Sequence, residues 1–463
     1  MDRRKFVRDG IVSLGSTFAA ADLASRGVFN GTSRLAAPAR RPRPSKPQLQ
    51  WQRDELAMFL HFGVNTFTDR EWGDGKESPS IFAPSQLDAG QWARSARAAG
   101  FRSVILTAKH HDGFCLWPTA TTKHSVASSP FRGGDGDVVR EMVDACRAES
   151  LRPGLYLSPW DRNNPLYGDS PRYNDLYCDQ LTELLTRYGK IAEVWFDGAN
   201  GEGPNGKRQQ YDWPRVWGLV RKLQPEAVMF SDAGPDVRWC GNENGSGGET
   251  NWSTVNPSVV TYPGVSGPGV TESLQRGDPA GTAWIPAEAD TSIRPGWFYH
   301  AAEDAKARSV DNLYDLYFKS VGRNAKLLLN VPPTRAGLLH DIDVANLAGF
   351  RERLDKLRGS AITRGAKNSW SSTGDRTAEA TVTFDKPQMI SAFRLAEGIE
   401  RGQSVSRWSL SVTNGTGSRV ISRGTTIGYA RMEKFAPVSA KRVTLTIEDA
   451  VEAPQRVALI AYS

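Results

Sequence analysis

The amino-acid sequence predicts a (β/α)8 barrel followed by a C-terminal all-β sandwich domain. From Trp51 onward, short apolar runs alternate with amphipathic segments, which is the pattern of repeated strand and helix units around a parallel sheet. The apolar runs number eight, as the barrel requires. Near residue 356 the pattern changes to short, closely spaced strands. The chain of 463 residues is therefore divided into an N-terminal segment 1–50, a barrel 51–355 and a sandwich 356–463.

Eight apolar segments supply the predicted barrel strands. They are residues 56–62, 103–108, 153–158, 192–196, 227–231, 237–240, 282–286 and 326–331. Helical periodicity is present in residues 86–99, 137–150, 174–189 and 302–322. A doubly wound open sheet would need a glycine-rich phosphate loop after its first strand, and His61-Phe62-Gly63-Val64-Asn65 is not such a loop. The barrel is therefore the favoured architecture.

From about residue 359 the sequence alternates apolar and polar residues over short stretches that are separated by turn residues. Examples are residues 379–384, 390–395, 408–412, 419–422 and 442–447. About a hundred residues of this kind form a β-sandwich. The segment contains no group of residues typical of a catalytic site, so the chemistry is expected in the barrel.

Composition excludes several classes of protein. Hydrophobic residues make up 39% of the chain and charged residues 24%, and no apolar run reaches the roughly 18 residues of a membrane-spanning helix. Disorder and a membrane-spanning bundle are therefore not expected. The net charge is +7, but the Lys and Arg residues of segment 1–50 account for the whole excess. The rest of the chain carries equal numbers of both signs, so nothing in it favours a nucleic-acid partner.

The basic N-terminal segment is typical of a targeting signal. The pair Arg3-Arg4 precedes Phe6, mildly apolar and small residues occupy positions 10–21, and a Pro- and Arg-rich piece spans 38–47. This order resembles the bacterial twin-Arg export signal, which predicts a periplasmic or secreted protein that is exported in the folded state. The alternative is a disordered basic N-terminus that carries no address.

The four cysteines do not form a recognisable framework. Cys115, Cys146, Cys178 and Cys240 contain no C-x-x-C pair, so they predict neither a zinc site nor a disulfide-stapled scaffold. Three pairings are possible, and the spacing selects none of them.

Polar and aromatic residues concentrate at the ends of the predicted strands, where a barrel carries its active site. They form five motifs, which are His61-Phe62-Gly63, Glu71-Trp72, His110-His111-Asp112-Gly113-Phe114, Trp195-Phe196-Asp197-Gly198 and Pro295-Gly296-Trp297-Phe298-Tyr299. In this order the motifs resemble the α-L-fucosidases of glycoside hydrolase family 29. The resemblance covers roughly residues 51–340, and many members of that family also have a β-sandwich after the barrel.

The resemblance implies a retaining exo-α-L-fucosidase that removes terminal α-L-fucose from a fucosylated glycan without a metal or cofactor. Such an enzyme needs one carboxylate that forms a glycosyl ester and a second carboxyl group that protonates the leaving oxygen. Asp197 is the predicted nucleophile, because it follows a buried apolar run at a strand end and precedes Gly198. The alternative role for Asp197 is a cap on the following loop or helix.

The general acid is assigned to Glu243 by resemblance to the subgroup of the family that is selective for α-1,3 and α-1,4 linkages. That subgroup places its glutamate in a run of Trp, Gly, Asn and Glu, and here the run extends from Trp239 to Glu243. The competing carboxyl groups are those of Glu249, Glu288 and Glu202. The subgroup implies α-1,3- or α-1,4-linked fucose as substrate, and the alternative is an α-L-fucosidase of broad specificity.

The resemblance also assigns residues that bind the sugar. Histidine and glutamate side chains would hold hydroxyl groups, and aromatic faces would cover the apolar edge of fucose. The assigned residues are His61, Glu71, Trp72, His110, His111, Tyr156, Trp195 and Trp297. Neighbouring residues of a strand point to opposite faces, so His110 and His111 can reach one sugar only if the strand has ended before them.

Two functions of other classes are compatible with the sequence. A metal-assisted hydrolase would use His61, His110, His111 and Asp197 and would lose activity with a chelator, although the chain has no H-E-x-x-H motif. A non-catalytic glycan-binding protein would use the C-terminal sandwich. The presence of both Asp197 and Glu243 speaks against this second alternative, because a lectin needs no such pair.

Overall fold

The computed structural model describes residues 41–415 and 417–463. The predicted export signal at Arg3-Arg4 lies outside these residues. The described part of the chain forms a closed barrel of eight parallel strands, followed by a six-stranded antiparallel sheet. This arrangement confirms the fold class that the sequence predicts.

The first ten strands build the barrel and one small accessory sheet. They are β1 (Leu56–Leu60), β2 (Ser103–Lys109), β3 (Arg152–Leu157), β4 (Glu193–Trp195), β5 (Val228–Ser231), β6 (Val237–Trp239), β7 (Thr254–Val255), β8 (Ala283–Trp284), β9 (Ala287–Ser292) and β10 (Ala325–Asn330). Strands β7 and β8 pair with each other outside the barrel. Every barrel strand is parallel to the next barrel strand of the chain, and β10 closes the barrel against β1.

Helices connect the strands. The α-helices are Lys46–Arg53, Val64–Thr68, Ala89–Ala99, Val138–Ala148, Ser170–Arg187, Trp213–Leu223, Val270–Arg276, Val310–Lys319 and Asp341–Gly359. The 3-10 segments are Pro79–Ile81, Val126–Ser128, Phe131–Gly134, Ala301–Lys306 and Ile399–Arg401. The first three predicted helices are present with shifted ends. The fourth, expected over 302–322, is divided into a 3-10 segment and an α-helix.

Local sequence explains where two of the barrel helices begin and end. The side chain of Asp88 accepts the N–H of Gln91 at 3.0 Å, and that of Asp137 accepts the N–H of Arg140 at 2.8 Å. Both aspartates thus satisfy a main-chain donor that the first helical turn leaves unpaired. Gly100 ends the helix that Asp88 begins, with a left-handed φ of 92° that favours glycine.

The seventh barrel strand was predicted wrongly. The sequence predicts it at residues 282–286, but the structure places it at β9, and residues 283–284 belong to the accessory sheet. The apolar run that suggested a barrel strand lies just before the true one. Strand β9 itself directs Glu288 across the barrel to Trp195, so its inner face lacks the apolar side chains by which buried strands are usually identified.

The C-terminal sheet has its own core. Its strands are β11 (Lys367–Gly374), β12 (Thr377–Ala396), β13 (Val405–Asn414), β14 (Gly417–Gly424), β15 (Arg431–Ala450) and β16 (Ala458–Tyr462). They lie in the order β11-β12-β15-β13-β14, with β16 paired to β12. Register shifts interrupt the long β12–β15 pairing, and such bulges allow a sheet to bend. The inner side chains, among them Phe393, Trp408 and Leu445, form a separate hydrophobic cluster.

Polar groups join the C-terminal sheet to the barrel. Arg394 Nη1 lies 2.8 Å from Glu55 Oε1, and the same carboxylate accepts the hydroxyl of Tyr317 at 2.6 Å and that of Tyr429 at 3.2 Å. Burial opposes ionisation of Glu55, but the charge of Arg394 prevails and lowers the pKa of the carboxyl group. This interface is therefore held partly by an ion pair whose side chains are largely, but not fully, buried.

Two further findings concern the described residues. No helix among them is long and apolar enough to cross a membrane. Cys115, Cys146, Cys178 and Cys240 are buried free thiols, so none of the three possible disulfide pairings is formed.

Candidate active site

Asp197 lies two residues beyond the end of β4, at the C-terminal end of the barrel, and is 5% exposed. Oδ1 accepts the main-chain N–H of Ala199 at 2.7 Å, and Oδ2 accepts the hydroxyl of Tyr156 at 3.2 Å. Oδ2 also lies 3.9 Å from Nε2 of His111. The loop-capping role that the sequence allowed for Asp197 is present, but it occupies Oδ1 and leaves Oδ2 facing Tyr156 and His111.

Gly198, the next residue, occupies a place that only glycine fits. A Cβ atom there would lie 2.4 Å from Asp232 Oδ2 and 2.7 Å from the main-chain nitrogen of Gly264. Gly264 has a φ of 82° and lies in a turn in which the N–H of Val265 donates to the carbonyl oxygen of Tyr262 at 3.2 Å. The turn 262–265 therefore rests directly on the main chain that carries Asp197.

The ring of His111 is held in one tautomer. Its Nδ1 lies 2.7 Å from Ser158 Oγ, and Ser158 Oγ donates its own hydrogen to the carbonyl oxygen of Trp160 at 2.6 Å. A hydroxyl group has one hydrogen, so Nδ1–H of His111 is the donor to Ser158. In the neutral ring Nε2 then has a lone pair that can accept a hydrogen bond from a sugar hydroxyl.

His61 is oriented in the same way by another partner. Its Nδ1 lies 2.9 Å from Asn330 Oδ1, while Asn330 Nδ2 donates to the carbonyl oxygen of Trp297 at 2.8 Å. The amide nitrogen of Asn330 is thereby identified, which makes Oδ1 the acceptor and Nδ1–H of His61 the donor. His61 therefore also offers Nε2 as an acceptor. Among the described residues, no group of three His, Cys, Asp or Glu side chains is arranged to hold a metal ion.

His110, the remaining predicted histidine, lies beside both His61 and His111. Strand β2 ends at Lys109, so His110 and His111 lie beyond it, as their joint use requires. Their ring centroids are 4.1 Å apart. His110 stacks on Tyr156 at 5.9 Å with 20° between the ring planes, and it approaches His61 to 5.4 Å. The structure therefore brings the three predicted histidines to one place beside Asp197.

Three tryptophans predicted to bind the sugar surround the histidines. Trp72 meets His111 edge to face at 5.9 Å, and Trp297 lies 5.1 Å from His61. Both indoles are half-buried. Trp195 is buried below them, 5.3 Å from Tyr156. The arrangement gives two accessible aromatic walls and an aromatic floor, which suits a ring with one apolar edge.

Glu71 was predicted to bind the sugar, and in the structure its carboxylate is bonded to the protein. Its carboxylate accepts the main-chain N–H groups of Trp297 at 2.7 Å and Phe298 at 3.0 Å, and it lies 2.7 Å from His300 Nε2. These bonds hold the loop that carries Trp297. The structure thus gives Glu71 a positioning role that the sequence did not indicate.

Asp112 belongs to one of the sequence motifs, which by itself indicates no role for it. Its Oδ1 accepts the N–H of Phe114 at 2.8 Å, and its Oδ2 lies 3.9 Å from His110 Nδ1. Burial raises the pKa of Asp112 to about 7. The protonation state of this carboxyl group therefore changes near neutral pH, beside His110.

Lys109 fastens the loops that follow β2 and β3. Its buried Nζ lies 3.1 Å from Asp161 Oδ2 and 2.9 Å from Gln180 Oε1. The N–H of Arg162 donates to the carbonyl oxygen of His111 at 2.9 Å. A buried ion pair with additional hydrogen bonds thus fixes the main chain on which His111 lies.

Glu243, the predicted general acid, lies half-buried on the loop after β6. Strands β4, β5 and β6 are neighbours, so this loop and Asp197 share the C-terminal mouth of the barrel. The loop is tied to β9, because the N–H of Gly245 donates to the carbonyl oxygen of Asp290 at 3.2 Å. Trp239 Nε1 also donates to Asp290 Oδ1 at 2.7 Å.

The competing carboxyl groups each have a different environment. Glu249 forms ion pairs with Arg323 and with Arg431, the second at 3.0 Å. Glu202 is exposed, and it contributes its main-chain carbonyl oxygen to Trp160 Nε1 at 3.0 Å. Glu288, which the sequence placed after the seventh strand, lies within β9 and is fully buried in the barrel.

Glu288 belongs to a buried polar group in the barrel interior. Its Oε1 accepts Trp195 Nε1–H at 3.0 Å, and Lys326 Nζ lies 3.3 Å from Glu193 Oε2. Among the described residues, Glu193 Oε1 and Glu288 Oε2 are buried without a hydrogen-bond donor. Burial, and after it the charge of Glu193, raises the pKa of Glu288 well above its ordinary value. We therefore expect Glu288 to lose its proton at a higher pH than an ordinary glutamate.

Glu288→Gln should make the free energy of unfolding less dependent on pH. The folded-state pKa of Glu288 is raised, so its contribution to stability is full below the unfolded pKa of about 4.3 and is lost as the pH rises through the folded value. Glutamine cannot ionise, and its amide supplies the missing donor. Urea denaturation of both proteins between pH 5 and pH 9 measures the effect. Identical pH slopes would show that Glu288 is ionised already.

Several residues that shape the site were missed by sequence analysis. Asn330 ends the run Leu327-Leu328-Leu329, so a polar residue at the end of the last predicted strand was an available signal. Ser158 likewise ends the third predicted strand. Asp290 could not be identified from the sequence, because the strand that carries it, β9, was not predicted.

Comparison with known proteins finds relatives of nearly the whole described chain. The sequence profile of the family described as Alpha-L-fucosidase matches residues 44–356. Alpha-L-fucosidase 1 of Arabidopsis thaliana is 44% identical over 440 residues, which cover 88% of this chain and 85% of that protein.

Solved structures are similar as well. A glycoside hydrolase 29 family member from an unknown rumen bacterium has a TM-score of 0.83 and 40% identity, and the match covers 91% of this chain and 77% of that one. A glycoside hydrolase 29 fucosidase of Ruminococcus gnavus, in complex with fucose, has a TM-score of 0.82 and 29% identity, covering 93% of this chain and 98% of that one.

Proposed function

Because the chain belongs to the α-L-fucosidase family, glycoside hydrolase family 29, we propose that this α-L-fucosidase acts by a retaining double displacement with Asp197 as nucleophile and Glu243 as general acid and base. The observation that carries this assignment is the orientation of Asp197. Its Oδ1 is fixed by Ala199, and its Oδ2 faces Tyr156 and His111. Since the family consists of hydrolases, the non-catalytic glycan-binding alternative is dropped.

The first step forms the glycosyl ester. Asp197 Oδ2 attacks the anomeric carbon of fucose, the bond to the leaving oxygen breaks, and Glu243 transfers its proton to that oxygen. The Tyr156 hydroxyl, which donates to Oδ2 at 3.2 Å, stabilises the carboxylate before attack. A short side chain on the rigid end of β4 restricts the approach of the nucleophile to one direction.

The second step releases fucose. Glu243, now a carboxylate, removes a proton from water, and the water oxygen displaces Asp197 from the anomeric carbon. Two inversions return the α-configuration. Throughout, Nε2 of His61 and of His111 accept hydrogen bonds from sugar hydroxyls, because Asn330 and Ser158 hold the proton of each ring on Nδ1.

The substrate we propose is terminal fucose in α-1,3 or α-1,4 linkage on an oligosaccharide or glycoconjugate. The proposal is supported by the run from Trp239 to Glu243, which resembles the subgroup selective for these linkages. The loop that carries this run lies at the barrel mouth, where the leaving sugar would be bound. Broad specificity among α-fucosides is the alternative.

Two measurements test the two parts of this proposal, namely the anomer released first and the relative rates on different fucose linkages. Proton NMR during hydrolysis of an α-fucoside should show α-L-fucose first, followed by mutarotation, because the double displacement retains configuration. Initial formation of the β-anomer would exclude the covalent route. In the same assay, Lewis-type oligosaccharides should be cleaved faster than α-1,2-linked fucose. Equal kcat/KM values for the two linkages would favour broad specificity.

A further inference from the structure

The C-terminal sheet contacts the barrel loop that carries Glu243. We infer that Arg431, the first residue of β15, together with Gln403, Thr425 and Thr426 from the segments between the strands, positions the general acid, and we call these four residues the interdomain clamp. They hold the stretch 249–253, which is the C-terminal part of the loop that begins after β6 and which we call the limb. The inference rests on the proposed role of Glu243 and gives the C-terminal sheet a function in catalysis.

Arg431 binds the limb at its first residue. Nη1 donates to the carbonyl oxygen of Glu249 at 3.1 Å, and Nη2 lies 3.0 Å from Glu249 Oε2. The guanidinium group is buried, with 8% of the side chain exposed, whereas the side chain of Glu249 is 63% exposed. One side chain thus holds both the main chain and the side chain of Glu249.

Uncharged residues of the clamp hold the next part of the limb. Thr426 Oγ1 accepts the N–H of Asn251 at 2.9 Å, and the hydroxyl groups of Thr250 and Thr425 lie 2.7 Å apart.

Gln403 continues the clamp further along the limb. Its Oε1 accepts the N–H of Ser253 at 2.8 Å, and its Nε2 donates to the carbonyl oxygen of Asn251 at 3.1 Å. Because Gln403, Asn251 and Ser253 are buried, loss of any partner would leave a polar group without water.

The part of the loop between Glu243 and the clamp is held mainly through its main chain, as in the bond from Asn242 Nδ2 to the carbonyl oxygen of Ser246 at 2.9 Å. Gly245, Gly247 and Gly248 have no side chains, and their positions depend on main-chain bonds such as Gly247 N–H to the carbonyl oxygen of Lys319 at 2.8 Å. Glycine-rich segments have high conformational entropy unless both ends are fixed. Strand β6 fixes one end, and the clamp fixes the other together with Asn324 and Arg238 of the barrel, which both bond to Asn251. A carboxyl group displaced by about 1 Å can cost roughly a hundredfold in rate.

The test is the dependence of kcat/KM on the leaving group. Arg431→Met and Thr426→Val remove clamp contacts, and both should lower kcat/KM roughly tenfold for fucosides with a sugar or unactivated phenol as leaving group. Release of dinitrophenol, which needs no proton, should change less than about twofold. If Arg431→Met fails to fold, Thr426→Val decides by the same criterion.

Arg394→Met is the matched control. It removes another interdomain ion pair, Arg394 with Glu55, that does not touch residues 249–253. We expect it to lower the melting temperature without changing the leaving-group dependence. A leaving-group dependence that is unchanged in Arg431→Met and Thr426→Val, or equally altered in Arg394→Met, would overturn the inference.

The Glu243→Gln background separates this inference from the assignment of the acid. If Arg431 acts through Glu243, Arg431→Met should have no further effect on poor leaving groups once Glu243 is glutamine. Multiplied losses would show that Arg431 acts independently. A Glu243→Gln variant that keeps the wild-type leaving-group dependence would instead remove the acid assignment itself.

Discussion

Asp197→Ala should reduce kcat on α-fucosides by roughly 10⁴-fold, or about 5 kcal/mol of transition-state stabilisation, while the pocket still binds fucose. The variant has no carboxylate to form the ester, whereas the histidines and tryptophans around the sugar are retained. Azide or formate can occupy the vacated space and should restore part of the rate with an activated aryl fucoside. Rescue by azide should yield the β-fucosyl azide, because one displacement replaces two.

Asp197→Asn distinguishes the chemical role of Asp197 from its structural one. Asparagine retains Oδ1 as acceptor for the N–H of Ala199, which in the wild type lies 2.7 Å from Asp197 Oδ1. If the carboxylate is the nucleophile, both variants should be almost inactive. Substantial activity in Asp197→Asn combined with loss in Asp197→Ala would mean that the loop contact, and not nucleophilic attack, explains the requirement for Asp197.

Glu243→Gln should lower kcat/KM for natural linkages by about 10³-fold and that for a dinitrophenyl fucoside by less than about tenfold. A sugar hydroxyl is a poor leaving group and needs a proton in the transition state, whereas dinitrophenolate leaves without one. The value of kcat/KM is the proper quantity, because it reports the steps up to ester formation. The kcat of the activated substrate should fall as well, since Glu243 also serves as base for water.

The other carboxyl groups provide controls for Glu243. Glu202→Gln changes an exposed side chain, and Glu288→Gln changes one that is buried in the barrel and hydrogen-bonded to Trp195. Neither should alter the dependence on the leaving group. A leaving-group-dependent loss in either variant, with none in Glu243→Gln, would transfer the role of general acid and would also remove the basis for the linkage preference.

Most of the fold could be predicted because barrel strands are short apolar runs at regular intervals. The exception has a physical cause. Strand β9 alternates small residues with Glu288, Asp290 and Ser292, so it lacks the apolar signal, and the neighbouring run 282–286 was mistaken for it. Carboxyl groups are tolerated inside this barrel because Trp195 and Trp239 donate hydrogen bonds to them.

The candidate site could be predicted by residue type but not by orientation. His61 and His111 were identified from motifs, yet their tautomers are set by Asn330 and Ser158, which lie at the ends of other barrel strands. The positioning role of Glu71 could not be predicted for the same reason. Its contacts with Trp297 and Phe298 join segments more than two hundred residues apart. Such pairings follow from barrel closure, and local sequence patterns do not encode them.

The contact between Gly198 and Gly264 restricts how the enzyme can be redesigned for synthesis. An alcohol in place of water would intercept the fucosyl ester and yield a new glycoside, so acceptor choice is the natural target of directed evolution. A side chain at Gly264 would lie 2.2 Å from the carbonyl oxygen of Gly198 and would displace Asp197. Libraries should therefore keep Gly264 and vary Val259 and Tyr262, which are 38% and 52% exposed on the same segment.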